Sequence, residues 1–359
     1  MPVEITRRDY GLLGLDAKHA VATGLSAAEW YSCAIPRKEL KALMQRRDGP
    51  ALRDTAIWLA GLSISGALAW HFWGGWACVP FFLVYGVLYG SAGDSRWHEC
   101  GHGTAFRTRW MNDVVYHMAC FMMLREPTIW RWSHTRHHTD TIIVGRDPEI
   151  AAPRPPDFVT LALNIFALKA GYVAIKNILL HVAGRLNEEE KTFVPDMERW
   201  KVYLVARIYF AIFAGVIGAC FATGSILPAM FLGLPTFYGG FLALYFGLTQ
   251  HAGLAEDVLD HRLNSRTVYM NPIFRFIYWN MNYHVEHHMY PMVPYYALAA
   301  LHEEVKHDCP VANSGIVDVW QEIWPAVLRQ VRDHDYYIHK QLPAGAGGLG
   351  NSAGADLKP

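Results

Sequence analysis

Three short stretches of this chain carry histidine at helical spacing: His98-Glu-Cys-Gly-His102, His134-Thr-Arg-His137-His138 and His284-Val-Glu-His287-His288. Residues at i, i+3 and i+4 of an α-helix share a face, with Cβ atoms about 5–6 Å apart. Each stretch therefore aims two or three imidazoles at one point. A lone histidine is ordinarily a surface or satisfied core residue, but three helix-spaced groups are the pattern of a metal site. The rings outnumber the ligands of one tetrahedral site and fit two ions that keep open positions. Neutral imidazole suits zinc, copper, iron and nickel, so ligand type leaves the metal open. Two redox metals can bind O2 and share its reduction; zinc, with one oxidation state, does not.

Ligand rings need acceptors for their other nitrogen. Glu99, Asp140, Asp147, Glu256 and Glu286 are the candidates close to the boxes, with Asp94 and Asp257 nearby. Each reads equally well as a solvated or salt-bridged carboxylate. His261 is an ambiguous further ligand. His117, in an apolar run, reads as structural, and His19, His71, His181, His302, His307, His334 and His339 carry no spacing signal. Two rival readings remain. His98-Glu99-Cys100-Gly101-His102 also fits HExxH, the zinc-protease pattern, with Glu99 as general base; it leaves both HxxHH boxes unexplained. A metal transporter or haem-binding membrane protein would carry its ligands near the bilayer midplane, whereas these boxes fall outside the apolar windows.

The elements that position the boxes follow from charge. The chain has 359 residues, is 52% hydrophobic and only 18% charged, more apolar than an ordinary soluble enzyme. Its zero formal net charge gives no sign of a nucleic-acid partner. No Asp, Glu, Lys or Arg occurs from Thr55 to Gly93 or from Ile208 to Ala255. A membrane-spanning helix needs about 20 apolar residues, so each window holds two spans and a turn. The spans are expected at about 55–73, 76–93, 202–222 and 227–250. The first turn lies near Phe72, Gly74 and Gly75, and the second near Thr223, Gly224 and Ser225, with Pro228 opening the last helix. Basic residues lie before, between and after the two hairpins, which puts those segments and the boxes on the cytoplasmic side. The expected fold class is an all-α integral membrane protein: four transmembrane helices as two hairpins, with a cytosolic helical cap carrying the histidine boxes.

Residues 1–53 read as short cytosolic helices, with a capping box at Ser26-Ala-Ala-Glu29 and a charged helix from Pro36 to Gln45 ended by Gly49-Pro50. Residues 54–342 form the catalytic domain, and the Gly/Ala-rich segment 343–359 reads as disordered. Phe158 to Val182, with Lys169 and Lys176 on one face, reads as an amphipathic interfacial helix; a helix packed on the body is the alternative. Met1 to Tyr10 carries no apolar stretch of signal-peptide type. The six cysteines form no CxxC pair and read as free thiols. Gly345-Ala-Gly-Gly-Leu-Gly350 fits GxGxxG but lacks the strand before and helix after that a dinucleotide site requires.

The order HECGH, HTRHH, NYHVEHH resembles the membrane fatty acid desaturase and hydroxylase superfamily over roughly residues 55–310. Asp147-Pro-Glu149 is similar to the family too, and Asp260-His-Arg-Leu-Asn264-Ser-Arg-Thr267 resembles a bacterial branch. That branch includes oxygenases of small methylated compounds, such as rhizopine, that work with a Rieske-type ferredoxin. The resemblance implies two iron ions held by the boxes, with His251, at the end of the last span, completing a set of His98, His102, His134, His137, His138, His251, His284, His287 and His288. It implies O2-dependent oxidation of an unactivated aliphatic C–H bond, by desaturation or hydroxylation. The expected substrate is a fatty acyl chain; the alternative is a small methylated or amine-bearing compound. No catalytic residue is assigned beyond the ligands. The chain carries no cytochrome b5 module, no ferredoxin cysteine set and no flavin or nicotinamide site, so electrons are expected from a separate ferredoxin, possible Rieske-type carriers included, with its reductase. Arg131 and Arg136 are candidates for its docking face. The expected setting is the bacterial inner membrane and its lipid, and the oligomeric state is left open.

Overall fold

The structure is a computed structural model and describes residues 8–26 and 28–348. Among these, every regular element is a helix, and the only β pairing is two isolated bridges, Thr267–Tyr283 and Val268–Asn313.

The first long helix runs Asp48–His71. Gly49-Pro50 therefore opens this helix instead of ending the one before it, because the first turn has no carbonyl awaiting the proline nitrogen. The preceding charged helix is shorter than expected, Arg37–Leu43. No helix starts at the expected capping box: residues 28–36 are irregular, and Ala27 lies outside the described residues.

After a turn at Phe72–Ala77 the chain returns as one helical run. It comprises Cys78–Gly86, a π-helical stretch Val87–Ser91, and Ala92–Gly101. The expected span thus continues past Asp94 and carries the first histidine box on its own extension. Single π turns inside helices rotate the register and are common at functional sites.

The third long helix, Arg199–Thr223, matches its expected span. With its leading turn from Asp196 it is the one helix among the described residues long and apolar enough alone to cross a membrane, and only 11% of its most apolar stretch is buried. The fourth expected span is not continuous. It divides into Leu227–Phe231, Pro235–Gly239 and Phe241–His251. Gly233, at φ 103°, makes the first break in a backbone region that L side chains avoid, and Pro235 follows it.

The glycines at the second break have a packing reason. A Cβ on Gly239 would overlap the carbonyl of Gly86, and one on Gly90 would lie 2.9 Å from Gly240 N. Backbone meets backbone here, as small residues allow between closely approaching helices. Ser91 Oγ donates to Gly239 O at 2.6 Å. This crossing fixes the helix of the first box against the helix that ends in His251.

Phe158–Val182 is likewise broken. Phe158–Asn164 and Leu168–Val182 meet at 80°, through Ala167 at φ 49°. The longer piece packs against Arg199–Thr223. The segment is therefore a bent pair, not the single interfacial helix expected. The pair also passes the spanning test when taken together.

The main core surrounds Trp58, Trp97, Tyr116, Phe246, Trp279 and Leu298, and joins the helical run to the C-terminal segments. Fully buried Arg96 clasps it. Its guanidinium lies 4.8 Å from the Trp58 ring centre and 4.9 Å from that of Trp279, and Nη1 donates to Ile277 O at 3.0 Å. All six cysteines are free thiols. Of the expected disordered segment, residues 343–348 lie along the body: Gly347 N donates to Asp308 Oδ1 and its carbonyl accepts from Arg262. The rest, from 349, lies outside the described residues, as does the last glycine of the GxGxxG match.

Candidate metal centre

Each box sits on a helix. The first continues from the π turn, with His102 at its C-cap. The second lies on Pro127–Thr139, where Pro127 takes the first position and Glu126 caps Ile129 N at 2.7 Å. The third occupies the six-residue helix His284–Met289, and every residue of it is buried. His251 ends Phe241–His251.

The structure brings all nine histidines together in two groups: His98, His102, His134, His138 and His287, and His137, His251, His284 and His288. Within each group the ring nitrogens lie within 4.8 Å of one another. The approaches are between Nε2 atoms. His98 to His287 is 2.7 Å, His102 to His134 is 3.1 Å, and His284 to His251 and to His288 are both 3.0 Å.

Four of the nine rings turn the opposite nitrogen to an oxygen, whereas the buried Nδ1 atoms of His138, His284 and His287 have no partner. His134 Nδ1 is 3.1 Å from Glu149 Oε2, and His137 Nδ1 is 2.8 Å from Asp147 Oδ2. His251 Nδ1 donates to Asn264 O at 2.7 Å, and His288 Nδ1 lies 3.2 Å from Thr141 Oγ1. A neutral imidazole that donates through Nδ1 presents a bare lone pair at Nε2. Burial first, and then the neighbouring rings, hold His98, His102, His138, His284, His287 and His288 well below the usual imidazole range, which keeps these rings neutral and able to offer a lone pair to a cation. Where Nδ1 carries the proton, lone pairs converging at such distances repel unless a cation lies among them. The donor set therefore fits metal, and the outward acceptors orient the rings and raise their basicity.

The carboxylates divide differently from expectation. Among the five proposed from sequence, Asp147 is the one that bonds a box ring. Burial opposes it, yet Asp147 raises His137 above the ordinary value. Glu99 instead accepts from Thr104 Oγ1 at 2.6 Å and Tyr295 N at 3.1 Å, and burial raises it to about 7. It belongs to neither ring group, so the general-base role of the HExxH reading has no support in its position. Asp140 pairs with Arg146, and Glu256 with Arg8, Arg154 and Tyr10. Glu286 bonds His302 and Thr267 at 2.5 Å each, facing away from the box. Asp94 accepts from Trp97 and Arg125, and Asp257 from Val144 N. His261 is in neither group; it stacks on Trp30 at 4.2 Å and lies tilted against His288 at 5.0 Å, and burial lowers it to about 3. His117 is in neither group.

Sequence reasoning missed Glu149, Asn264 and Thr141 as acceptors. In the sequence Glu149 is marked only as part of Asp147-Pro-Glu149. The loop that delivers the two carboxylates needs Ile142 at φ 54°, an uncommon conformation for a β-branched residue. It is held by Ile142 N donating to Asp147 Oδ2 at 2.8 Å and by Asp257 N donating to Ile142 O at 3.1 Å.

One cavity touches both ring groups. It measures about 300 Å³ and is reached by His98, His134, His137 and His251. Ala243, Leu244, Gly247 and Leu248 give it an apolar wall, while Trp97, Trp130 and Arg125 form another. The Arg125 guanidinium lies 3.6 Å from the Trp130 ring centre and donates to Asp94 at 3.2 Å.

The chain is similar in sequence to known desaturases. The chain is 24% identical over 250 residues to an acyl-lipid (9+3)-(E)-desaturase of Dimorphotheca sinuata, covering 60% of this chain and 64% of that protein. It is 36% identical over 83 residues to an omega-6 fatty acid desaturase, endoplasmic reticulum isozyme 1, of Glycine max, about 21% of each. A 23% identical match to an sn-1 acyl-lipid omega-3 desaturase (ferredoxin) of Nostoc sp. (strain 36) covers 70% of this chain and 74% of that protein. The match thus spans less than two thirds of the first two of these relatives. A family model described as fatty acid desaturase matches residues 74–320, and the chain belongs to that family.

Proposed function

We propose that this chain is a membrane-bound oxidoreductase that uses O2 to desaturate a fatty acyl chain at two histidine-held iron ions. The observation that carries it is the pair of converging Nε2 groups opening on one cavity. His98, His102, His134, His138 and His287 would hold one ion, and His137, His251, His284 and His288 the other. Bound iron would supply the O2-dependent oxidation of an aliphatic C–H bond. The protein's part is to fix the rings through Asp147, Glu149, Asn264 and Thr141, to seat the carbon beside both groups, and to exclude water. Leu244, Leu248 and Ala243 offer an acyl chain an apolar wall.

We read four membrane passes in the two apolar windows, with the broken fourth completed by its three pieces, and place the site on the cytoplasmic face of a bacterial inner membrane. The boxes then lie just beyond the spans, beside the lipid that supplies the substrate. Names of relatives that act on acyl lipids support the substrate class.

A second reading has its own observation. The cavity is at the low end of the roughly 300–1,000 Å³ of small-molecule sites, and Arg125 and Asp94 stand in its wall. A small methylated or amine-bearing compound, hydroxylated or demethylated, suits that lining. Iron-loaded protein with a reduced ferredoxin, O2 and both substrate types decides between them by mass spectrometry. An olefinic acyl product supports the first reading. Formaldehyde from a methylated amine with acyl lipids unchanged overturns it.

A further inference from the structure

A second depression reaches one of the nine histidines, His102. It is lined by Arg46, His102, Arg109, Asp113, Arg131 and Met292, with a volume of about 430 Å³. None of its histidine is shared with the cavity described above, which is reached by His98, His134, His137 and His251. His102 is half-buried. Asp113 lies 3.2 Å from Arg131 and is neutralised by it. That leaves Arg46 and Arg109 to set a positive potential. Met292 is 41% exposed, and Trp110, next to Arg109, is 62% exposed. Arginine, tryptophan and methionine are the side chains enriched where proteins dock.

We propose that this arginine-rimmed depression is where an acidic one-electron carrier protein docks and delivers its electrons at the His102 edge. The inference rests on the oxidase reading above, which creates the demand. Converting a saturated C–C bond to an olefin removes two hydrogens. Together with two electrons and two protons from outside, they reduce one O2 to two waters. A one-electron carrier must therefore dock twice per turnover, within short reach of the metals, while substrate occupies the other cavity. The arrangement separates these two traffics. Rim arginines steer a carrier of opposite charge and raise its on-rate, an effect that falls with salt. Arg136, the other candidate from sequence, is committed elsewhere: Nη1 donates to Thr192 Oγ1 at 2.8 Å, and its side chain is 11% exposed.

The test measures binding of an acidic [2Fe–2S] ferredoxin to the full chain in detergent, at low and high salt. Arg109→Glu is the main variant. It stands at the first position of Arg109–Met122, where an acidic residue suits the helix dipole. Arg46→Glu is the second, and Arg329→Glu, exposed elsewhere, is the control. Reversal at Arg109 or Arg46 should weaken binding roughly tenfold and flatten its salt dependence, with the control unchanged. Turnover driven by dithionite, which needs no docking, should stay at the wild-type rate. Unchanged ferredoxin affinity in both variants overturns the proposal. So does unchanged affinity with weakened binding to anionic-lipid vesicles, which would assign the arginines to the membrane surface. Ferredoxin binding lost as predicted in a protein that oxidises no substrate would sustain the docking site and remove the oxidase reading.

Discussion

Asp147→Asn tests how the second ring group is held. Asp147 Oδ2 is 2.8 Å from His137 Nδ1 and accepts Ile142 N at 2.8 Å, while Oδ1 accepts Glu149 N at 2.8 Å. Three donors thus converge on one carboxylate. Asparagine keeps the shape but has one oxygen and one NH2, so one donor must face another donor. A buried donor left unsatisfied costs about 1–3 kcal/mol. If the oxygen serves His137 and Ile142, the ring keeps its tautomer but loses the charge that raises its basicity. If it serves Glu149, the ring loses its orientation. Loss of such an outer partner lowers metal affinity about 10–100-fold, or about 1.4–2.8 kcal/mol. The effect should fall on one ion, since His137 belongs to the four-ring group alone. The assay is metal content after dialysis against graded chelator. The variant should release half its metal at a chelator concentration about 10–100-fold below that for wild type, and the remainder at the wild-type concentration. Retention identical to wild type, or loss of both ions together, would refute the reasoning.

Three further outcomes follow from other parts of the molecule. Gly239→Ala drives a methyl into the Gly86 backbone and should cost about 3 kcal/mol or more, read as lost folded yield, whereas Gly215→Ala meets nothing within 4 Å and should be neutral or slightly stabilising. Glu99→Gln should keep its metal and most turnover while His98→Ala loses both; a Glu99→Gln protein that is metal-loaded but inactive would restore the general-base reading. Glu126 is raised from 4.5 to about 7 by burial, so its contribution to stability is full below pH 4.5 and lost as pH rises through about 7, on the order of 3 kcal/mol. Thermal midpoints of wild type should therefore fall across that window more than those of Glu126→Gln, and parallel curves would count against it.

The histidines were legible because helical spacing is local: i, i+3 and i+4 share a face whatever the rest of the fold does. Their sorting into five and four was not, since it depends on how His287 reaches His98 while its neighbour His288 turns to His284. The acceptors were the least legible. Glu149 and Thr141 reach the rings from a loop whose course is set by tertiary contacts, including Ile142 in a left-handed conformation, and Asn264 O from the end of the short helix His261–Asn264. Glu286, inside a box in sequence, faces His302 because it stands on the opposite side of the short helix. Long apolar windows located the helices, but hydropathy does not register the π turn or the division of the fourth span. Gly233 and Pro235 were visible signals of that break. The Gly86–Gly239 contact was not, because it is made between residues far apart in the chain.

The most direct test of the central claim is iron per purified chain, counted beside turnover in the same preparation. Nine histidines in two groups predict close to two irons per chain, falling to about one in Asp147→Asn at chelator concentrations the wild type survives. A single tightly bound zinc in a fully active protein would contradict it.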